Sequence, residues 1–341
     1  MEDFTAAPAF SEKKIRRRGI PGSTLKLIAI FTMLIDHTAA VVLNQILVSN
    51  RFFKMYSRAS MDGSFLQMYQ IYGWMRNIGR IAFPLFCFLL VEGFVHTSNK
   101  SKYAVRLAVF ALVSEIPFDL AFYGKVLYRH QNVFFTLFIG FLVVWGFQLI
   151  GERLRDKKWL PVLSLAGAAG GVWILFTFFR SLLYTVNDFM IRDNEGILYL
   201  LDFYLEKYLL PVTIVFTVGV LLAIFLVDKD RREIMALVLA DCAVLAAGML
   251  LANFLHTDYS AFGVLTIAVM YAFRRNQVSA GMGGYVVLNV LSIAELTAIF
   301  ALIPIALYNG ERGLRLKYIF YAFYPVHLLI LYLICKAMNI R

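Results

Sequence analysis

Cysteine is nearly absent from this chain: Cys87, Cys242 and Cys335 are the only three among 341 residues. All lie in apolar stretches at unrelated spacings, which excludes a cysteine metal cluster and argues against a structural disulfide. They read as small buried apolar side chains. Missing too are a phosphate-binding glycine loop, a zinc-type histidine spacing and a Gly-x-Ser-x-Gly elbow, so no metal is expected and no hydrolase signature stands out. Gly281-Met282-Gly283-Gly284 sits in a connection and reads as a flexible turn. Charge is also sparse, at 16% of residues, whereas 60% are hydrophobic. A soluble domain does not tolerate that balance, and the apolar runs reach the roughly 20 residues that span a bilayer.

The expected fold class is therefore all-α, a polytopic integral membrane helical bundle in the lipid bilayer with about ten transmembrane helices. The spans are expected near 24–48, 78–97, 103–123, 131–150, 159–179, 209–227, 234–255, 259–274, 284–308 and 317–336. Residues 1–22 form a basic segment and 23–341 a single transmembrane domain, with a long outer connection near 180–208. That connection carries Asp188, Arg192, Asp193, Glu195, Asp202, Glu206 and Lys207 among Leu198, Leu200, Leu201, Phe203, Tyr204 and Leu205. The pattern suits either a helix on the membrane surface, capping a cavity, or a solvated connector.

The net charge of +11 does not form a nucleic-acid patch, because the bases cluster beside hydrophobic runs. Lys13, Lys14, Arg16, Arg17 and Arg18 precede the first span, and Lys100 and Lys102 follow the second. Arg153, Arg155, Lys157 and Lys158 follow the fourth, Arg231 and Arg232 the sixth, Arg274 and Arg275 the eighth. Every second loop is basic, which places the N-terminus and these loops in the cytoplasm and the protein in the cell membrane. Arg51, Lys54 and Arg58, and Arg312, Arg315 and Lys317, run against the pattern. The first apolar stretch lacks a small-residue cleavage site and is expected to stay attached.

Within the first span stand Lys26, Asp36 and His37. A charge near the bilayer centre costs roughly 2.5 to 3.5 kcal/mol, so the pair at its middle needs a functional reason. The eleven-residue step from Lys26 to His37 turns through about 1,100°, only about 20° from three full turns. Both side chains therefore share one helix face, roughly 16 Å apart along the axis, a spacing that fits an elongated substrate with an anionic head and a reactive tail. A snorkelling lysine and a hydrogen-bonded histidine account for the spacing equally well.

Further costly residues follow. Arg80 and Glu92 lie in the second span around Pro84, which is expected to bend it. The third carries Glu115 and Asp119 around Pro117, and Asn132 starts the fourth. Asp258 and Tyr259 stand between two later spans, and His327 in the last. Arg80 is expected to hold Asp36, Glu92 or Glu115 by charge-assisted hydrogen bonds. Taken together, these residues suggest a polar cavity enclosed by helices from both halves of the chain.

Seven stretches carry a family resemblance: Leu25–Ile30 leading to Met33-Leu34-Ile35-Asp36-His37; Gly79-Arg80-Ile81-Ala82-Phe83-Pro84-Leu85-Phe86; Val91-Glu92-Gly93-Phe94-Val95-His96-Thr97; Ser114-Glu115-Ile116-Pro117-Phe118-Asp119; Gln131–Leu137; Asp258–Gly263; and Phe323–Leu328. They resemble the TraX family, whose founding kind acetylates the amino terminus of a conjugative pilin subunit. Roughly 23–140 and 250–335 look like the family, and 145–250 least so. The family is in turn similar to transmembrane acyltransferases that begin with a basic residue, ten intervening residues and a histidine, here Lys26 to His37. What this implies is an acetyl-CoA-dependent acetyltransferase for an amine or hydroxyl acceptor: a pilin-like N-terminus, an envelope sugar, a lipid or a small amine. Lys26 would meet the CoA phosphates and His37 would be the general base, its tautomer set by Asp36 or a neighbouring carboxylate. Arg80 would orient a carboxylate or stabilise the oxyanion. Glu115 joins the catalytic candidates, while Glu92, Asp119, Asn132, Asp258, Tyr259 and His327 would line the cavity. The competing reading is a transporter or flippase with an intramembrane polar pathway, although the halves show no inverted repeat.

Overall fold

The computed structural model describes residues 19–49, 63–127, 129–153, 160–190, 195–226, 228–314 and 317–340. Among the described residues every regular element is helical, with two isolated backbone bridges, Ile20 to Tyr308 and Gln131 to Thr257, and no strand. The helices are α1 (Gly22–His37), α2 (Asn44–Ser49), α3 (Gly63–Gly79), α4 (Ala82–His96), α5 (Lys100–Tyr123), α6 (Val133–Arg153), α7 (Leu160–Met190), α8 (Glu195–Leu226), α9 (Lys229–Phe254), α10 (Ser260–Ala272), α11 (Gln277–Leu291), α12 (Leu302–Ala306) and α13 (Lys317–Ala337). A π-helical turn, Thr38–Leu43, links α1 to α2, and a 3-10 segment, Ile293–Ala301, precedes α12.

The outer surface confirms a membrane bundle. Phe31, Leu112, Leu175, Val215 and Phe254 are between 61% and 79% exposed, an apolar exterior that lipid solvates and water does not. Among the described residues six helical stretches are long and apolar enough to cross a membrane: Gly22–Val48, Phe65–His96, Val133–Glu152, Leu160–Asn187, Lys229–Phe254 and Phe320–Ala337. This does not establish the ten expected. Helix α10 has 13 residues, a rise of about 20 Å against a hydrocarbon core of about 30 Å. Helix α5 is long enough, but carries Lys100, Lys102, Arg106, Glu115 and Asp119. The expected span 284–308 is broken at Ser292, whose extended backbone (φ −161°, ψ 139°) ends α11.

Two further departures matter for the site. Helix α3 has no counterpart among the expected spans, and a turn at Arg80 and Ile81 separates it from α4. Pro84 therefore falls in the first turn of α4, where its missing N–H would have had no helical partner, and does not bend a helix interior. The stretch near 180–208 is helical on both sides of 191–194: α7 continues to Met190 and α8 begins at Glu195.

One apolar core joins α1, α4, α5, α6 and α13, with Leu25, Leu85, Phe88, Phe141 and Leu328 fully enclosed. A second, through Ile139, Met249, Val264 and Val287, joins α6 to α9, α10 and α11. Helices α6, α10 and α11 contribute to both. Close approach takes the place of hydrophobic drive between helices in lipid: at Gly167 on α7 an added Cβ would overlap the Leu239 carbonyl oxygen of α9.

Candidate functional site

His37 ends α1 just where the π-helical turn begins. There the Asn44 N–H reaches back five residues to the Ala39 carbonyl, an irregularity frequent at functional sites. His37 Nδ1 lies 2.7 Å from His327 Nε2 on α13, the two rings nearly parallel (3°) with centroids 5.0 Å apart. His327 Nδ1 is in turn 2.7 Å from the Phe323 carbonyl oxygen. A carbonyl only accepts, so His327 carries its proton on Nδ1 and, when neutral, accepts at Nε2. His37 must then donate from Nδ1, which leaves its Nε2 as an unprotonated lone pair with no partner among the described residues. Phe122 and Tyr324 wall the ring at centroid distances of 5.6 and 5.8 Å.

The neighbouring charges pair differently from expectation. Asp36 Oδ2 accepts from Arg76 at 2.7 Å, and Arg80 pairs with Glu295 at 3.0 Å, not with Asp36, Glu92 or Glu115. Arg80 also lies beside Tyr259, whose hydroxyl is held well above the usual phenol range by burial and by the Glu295 and Asp258 carboxylates. Asp36 sits against Gly79, where an added Cβ would overlap the Asp36 side chain; only glycine admits the carboxylate there. Asp36 thus does not set the His37 tautomer, since its direction around α1 turns it toward α3. His327 does.

The other expected acids and amides bind helix ends together. Asn132 donates from Nδ2 to Glu115 at 2.5 Å and to the Ala111 carbonyl at 2.8 Å, while its Oδ1 accepts from the Phe134 N–H at 3.0 Å. Asp119 accepts from the Leu127 N–H at 2.7 Å. Asp258 lies in a loop with three non-glycine residues at positive φ, His256, Tyr259 and Ser260. Hydrogen bonds from the α6 end hold that loop: the Gln131 N–H to the His256 carbonyl, the Asp258 N–H to the Gln131 carbonyl, and the Thr136 hydroxyl to the Asp258 carbonyl.

Lys26 lines a cavity of about 670 Å³ together with Lys102, Arg106, Arg312, His96 and Glu92. It runs from these charges past Met33 and Phe134 to Tyr324, the ring on which His37 leans. His37 itself is not in its lining. Lys26 and His37 therefore share one continuous helix but reach the cavity unequally, with Tyr324 between. At the charged end, Tyr308 donates to Glu92 at 2.9 Å. Burial, reinforced by the Glu92 carboxylate, holds that hydroxyl above the usual phenol range, so it stays a donor.

Arg76 and Glu295, like Arg106 and Tyr308 in the cavity, are site residues that sequence reading missed. Arg76 lies outside every expected span, whereas Glu295, an acid isolated in the apolar run Ser292–Phe300, is a usable signal. Arg51, Lys54, Arg58, Arg155, Lys157, Lys158, Arg192, Asp193 and Arg315 lie outside the described residues, as does the basic segment before residue 19.

Comparison with known families assigns the domain. The model of the TraX protein family matches residues 21–189 and 196–335. The chain belongs to the TraX family. Both histidines, all four paired charges and the whole cavity lining lie inside the matched residues, so the site is part of the TraX domain. "Probable fimbrial assembly protein FimC, serogroup H1" of Dichelobacter nodosus is 34% identical over 128 residues, 35% of this chain. The match spans 43% of that relative's length. No solved structure matches the chain.

Proposed function

We propose that this TraX protein is a membrane-embedded acyltransferase that passes acetyl from acetyl-CoA to an acceptor amine or hydroxyl, with His37 Nε2 as general base. The observation that carries the reading is the ordered pair His37–His327, which leaves a lone pair on His37 Nε2, with only the Tyr324 ring between His37 and a basic cavity. Lys26, Arg312, Lys102 and Arg106 meet the donor's phosphates, and the thioester arm runs toward Tyr324. The acceptor attacks the thioester carbonyl; a C–N or C–O bond forms while Nε2 takes the acceptor's proton. Collapse of the tetrahedral intermediate breaks the C–S bond, and the imidazolium returns the proton to the leaving thiolate. His327 acts on His37 as a positioning residue. Arg80 is already paired with Glu295, so it positions the helix ends and does not meet the oxyanion. Asp36, Glu115, Asp119, Asn132, Asp258 and Tyr259 serve the same structural purpose.

The basic loops argue for a cytoplasmic N-terminus in the cell membrane, with donor entry from that side. A relative named for fimbrial assembly makes a pilin-like N-terminus the first acceptor to try, ahead of an envelope sugar, a lipid or a small amine. A second reading, a proton-linked transporter or flippase, is favoured by buried carboxylate oxygens without partners on Asp36, Glu115 and Asp119. The test is radiolabelled acetyl transfer from acetyl-CoA by purified protein in nanodiscs, for wild type, His37→Ala and Lys26→Ala. Acyl transfer requires turnover that is lost with His37 and donor dependence that weakens with Lys26. Solute movement in sealed vesicles without any response to acetyl-CoA would move the assignment to transport.

A further inference from the structure

Glu92 is out of place in a cavity that binds only anions. It is 4% exposed, yet it lines the same space as Lys26, Lys102, Arg106 and Arg312, where its charge opposes phosphate binding. Its Oε2 accepts from Tyr308, while Oε1 is buried with no hydrogen-bond partner. His96 does not satisfy it: its Nδ1 is committed to the Glu92 carbonyl at 2.9 Å and stands 3.7 Å from Oε2, too long for a hydrogen bond. An orphan carboxylate oxygen in a buried site is costly, and burial of this one is explained if a ligand brings the donor.

The level of Glu92 decides which part of the ligand that is. Tyr308, its partner, packs on Gly22 at the start of α1, one turn from Lys26 and far from His37. A molecule reaching Glu92 therefore presents its charged head there and not its reactive tail.

We propose that Glu92 reads a neutral N–H or O–H donor on the nucleotide end of the acyl donor, an inference that rests on the acyl-CoA reading of this cavity. Two groups of a CoA-type ligand carry that chemistry: the exocyclic amine of adenine and the free ribose hydroxyl. Tyr308 occupies Oε2 and leaves Oε1 as the oxygen still in need of a donor, while the cations that line the same cavity absorb the phosphate charge.

The test is equilibrium binding to the full chain in nanodiscs with three probes: CoA, an analogue carrying hypoxanthine in place of adenine, and a 2′-deoxyribose analogue. Wild type is expected to bind one of the two analogues about tenfold or more weakly than CoA, the loss of one charge-assisted hydrogen bond. Loss with hypoxanthine names the amine as the source, and loss with the deoxy analogue the hydroxyl. Glu92→Ala is expected to bind all three alike. If wild type binds CoA but does not discriminate, or if Glu92→Ala discriminates as wild type does, the role of Glu92 is refuted while the donor assignment stands. If wild type binds none of the probes, the donor assignment itself falls. The wild-type arms need no substitution to fold.

Discussion

Replacing His327 by phenylalanine isolates the tautomer argument from packing. The new ring keeps the stacking of His327 on Phe323, whose centroids are 4.7 Å apart at 16°, and fills the same 4%-exposed position. What it removes is the acceptor for His37 Nδ1–H. A buried N–H without a partner costs about 1–3 kcal/mol, so the proton moves to Nε2 and the lone pair turns away from the substrate. The competent tautomer, and kcat with it, should fall about 5- to 150-fold, with the donor KM unchanged. His327→Gln supplies an amide oxygen near the old Nε2 and should recover part of the rate. Acetyl transfer by purified protein measures both, and nitrogen-15 shifts of the His37 ring give a readout that needs no acceptor: Nδ1 protonated in wild type, Nε2 in His327→Phe. Unchanged shifts in His327→Phe, or equal rates for the two variants, would refute the relay.

Gly79→Ala should destabilise the solubilised protein by about 1–3 kcal/mol, because its methyl runs into the Asp36 side chain; a thermal unfolding temperature equal to wild type would contradict the close approach. Arg80→Ala leaves Glu295, 3% exposed, without its cation and should cost about 3–5 kcal/mol, whereas the double variant with Glu295→Leu should recover much of it; additive losses would mean the pair is not coupled. Asn132→Ala removes the bonds to Ala111 and Glu115 that tie α5 to α6 and should cost about 1–3 kcal/mol, read as a lower unfolding temperature with donor affinity unchanged. Lys26→Ala should weaken binding of CoA but not of a pantetheine thioester that lacks the nucleotide phosphates; equal weakening of both would place Lys26 away from the phosphates.

Charged residues in apolar runs are conspicuous because each carries an insertion penalty, and this is why Lys26, Asp36, His37, Arg80, Glu92, Glu115 and His327 are legible in the sequence by themselves. Their pairing is not. Proximity along the chain directs Arg80 to an acid on the nearest helices, but the turn at 80–81 points it toward Glu295, more than two hundred positions further on. Adjacency makes Asp36 a candidate to orient His37. Neighbours on a helix point about 100° apart, and the partner that fills the gap comes from α13. Arg76 escapes notice because α3 carries Gln67, Gln70, Gly73, Arg76 and Asn77, which dilute its apolar signal.

Composition and apolar runs of roughly 20 residues together determined an all-helical membrane protein, since lipid offers backbone groups no partners, only helices or closed barrels satisfy them internally, and runs of that length suit helices and not barrel strands. Periodicity within one helix placed Lys26 and His37 on a common face, because local geometry holds whatever surrounds it. The tertiary structure decided the span boundaries, the Arg80–Glu295 and Asp36–Arg76 pairs, the basic cavity and the His37–His327 relay. Each of these depends on which helices meet and at what level. That is set by close packing across sequence separations of tens to hundreds of residues, and no local pattern encodes it.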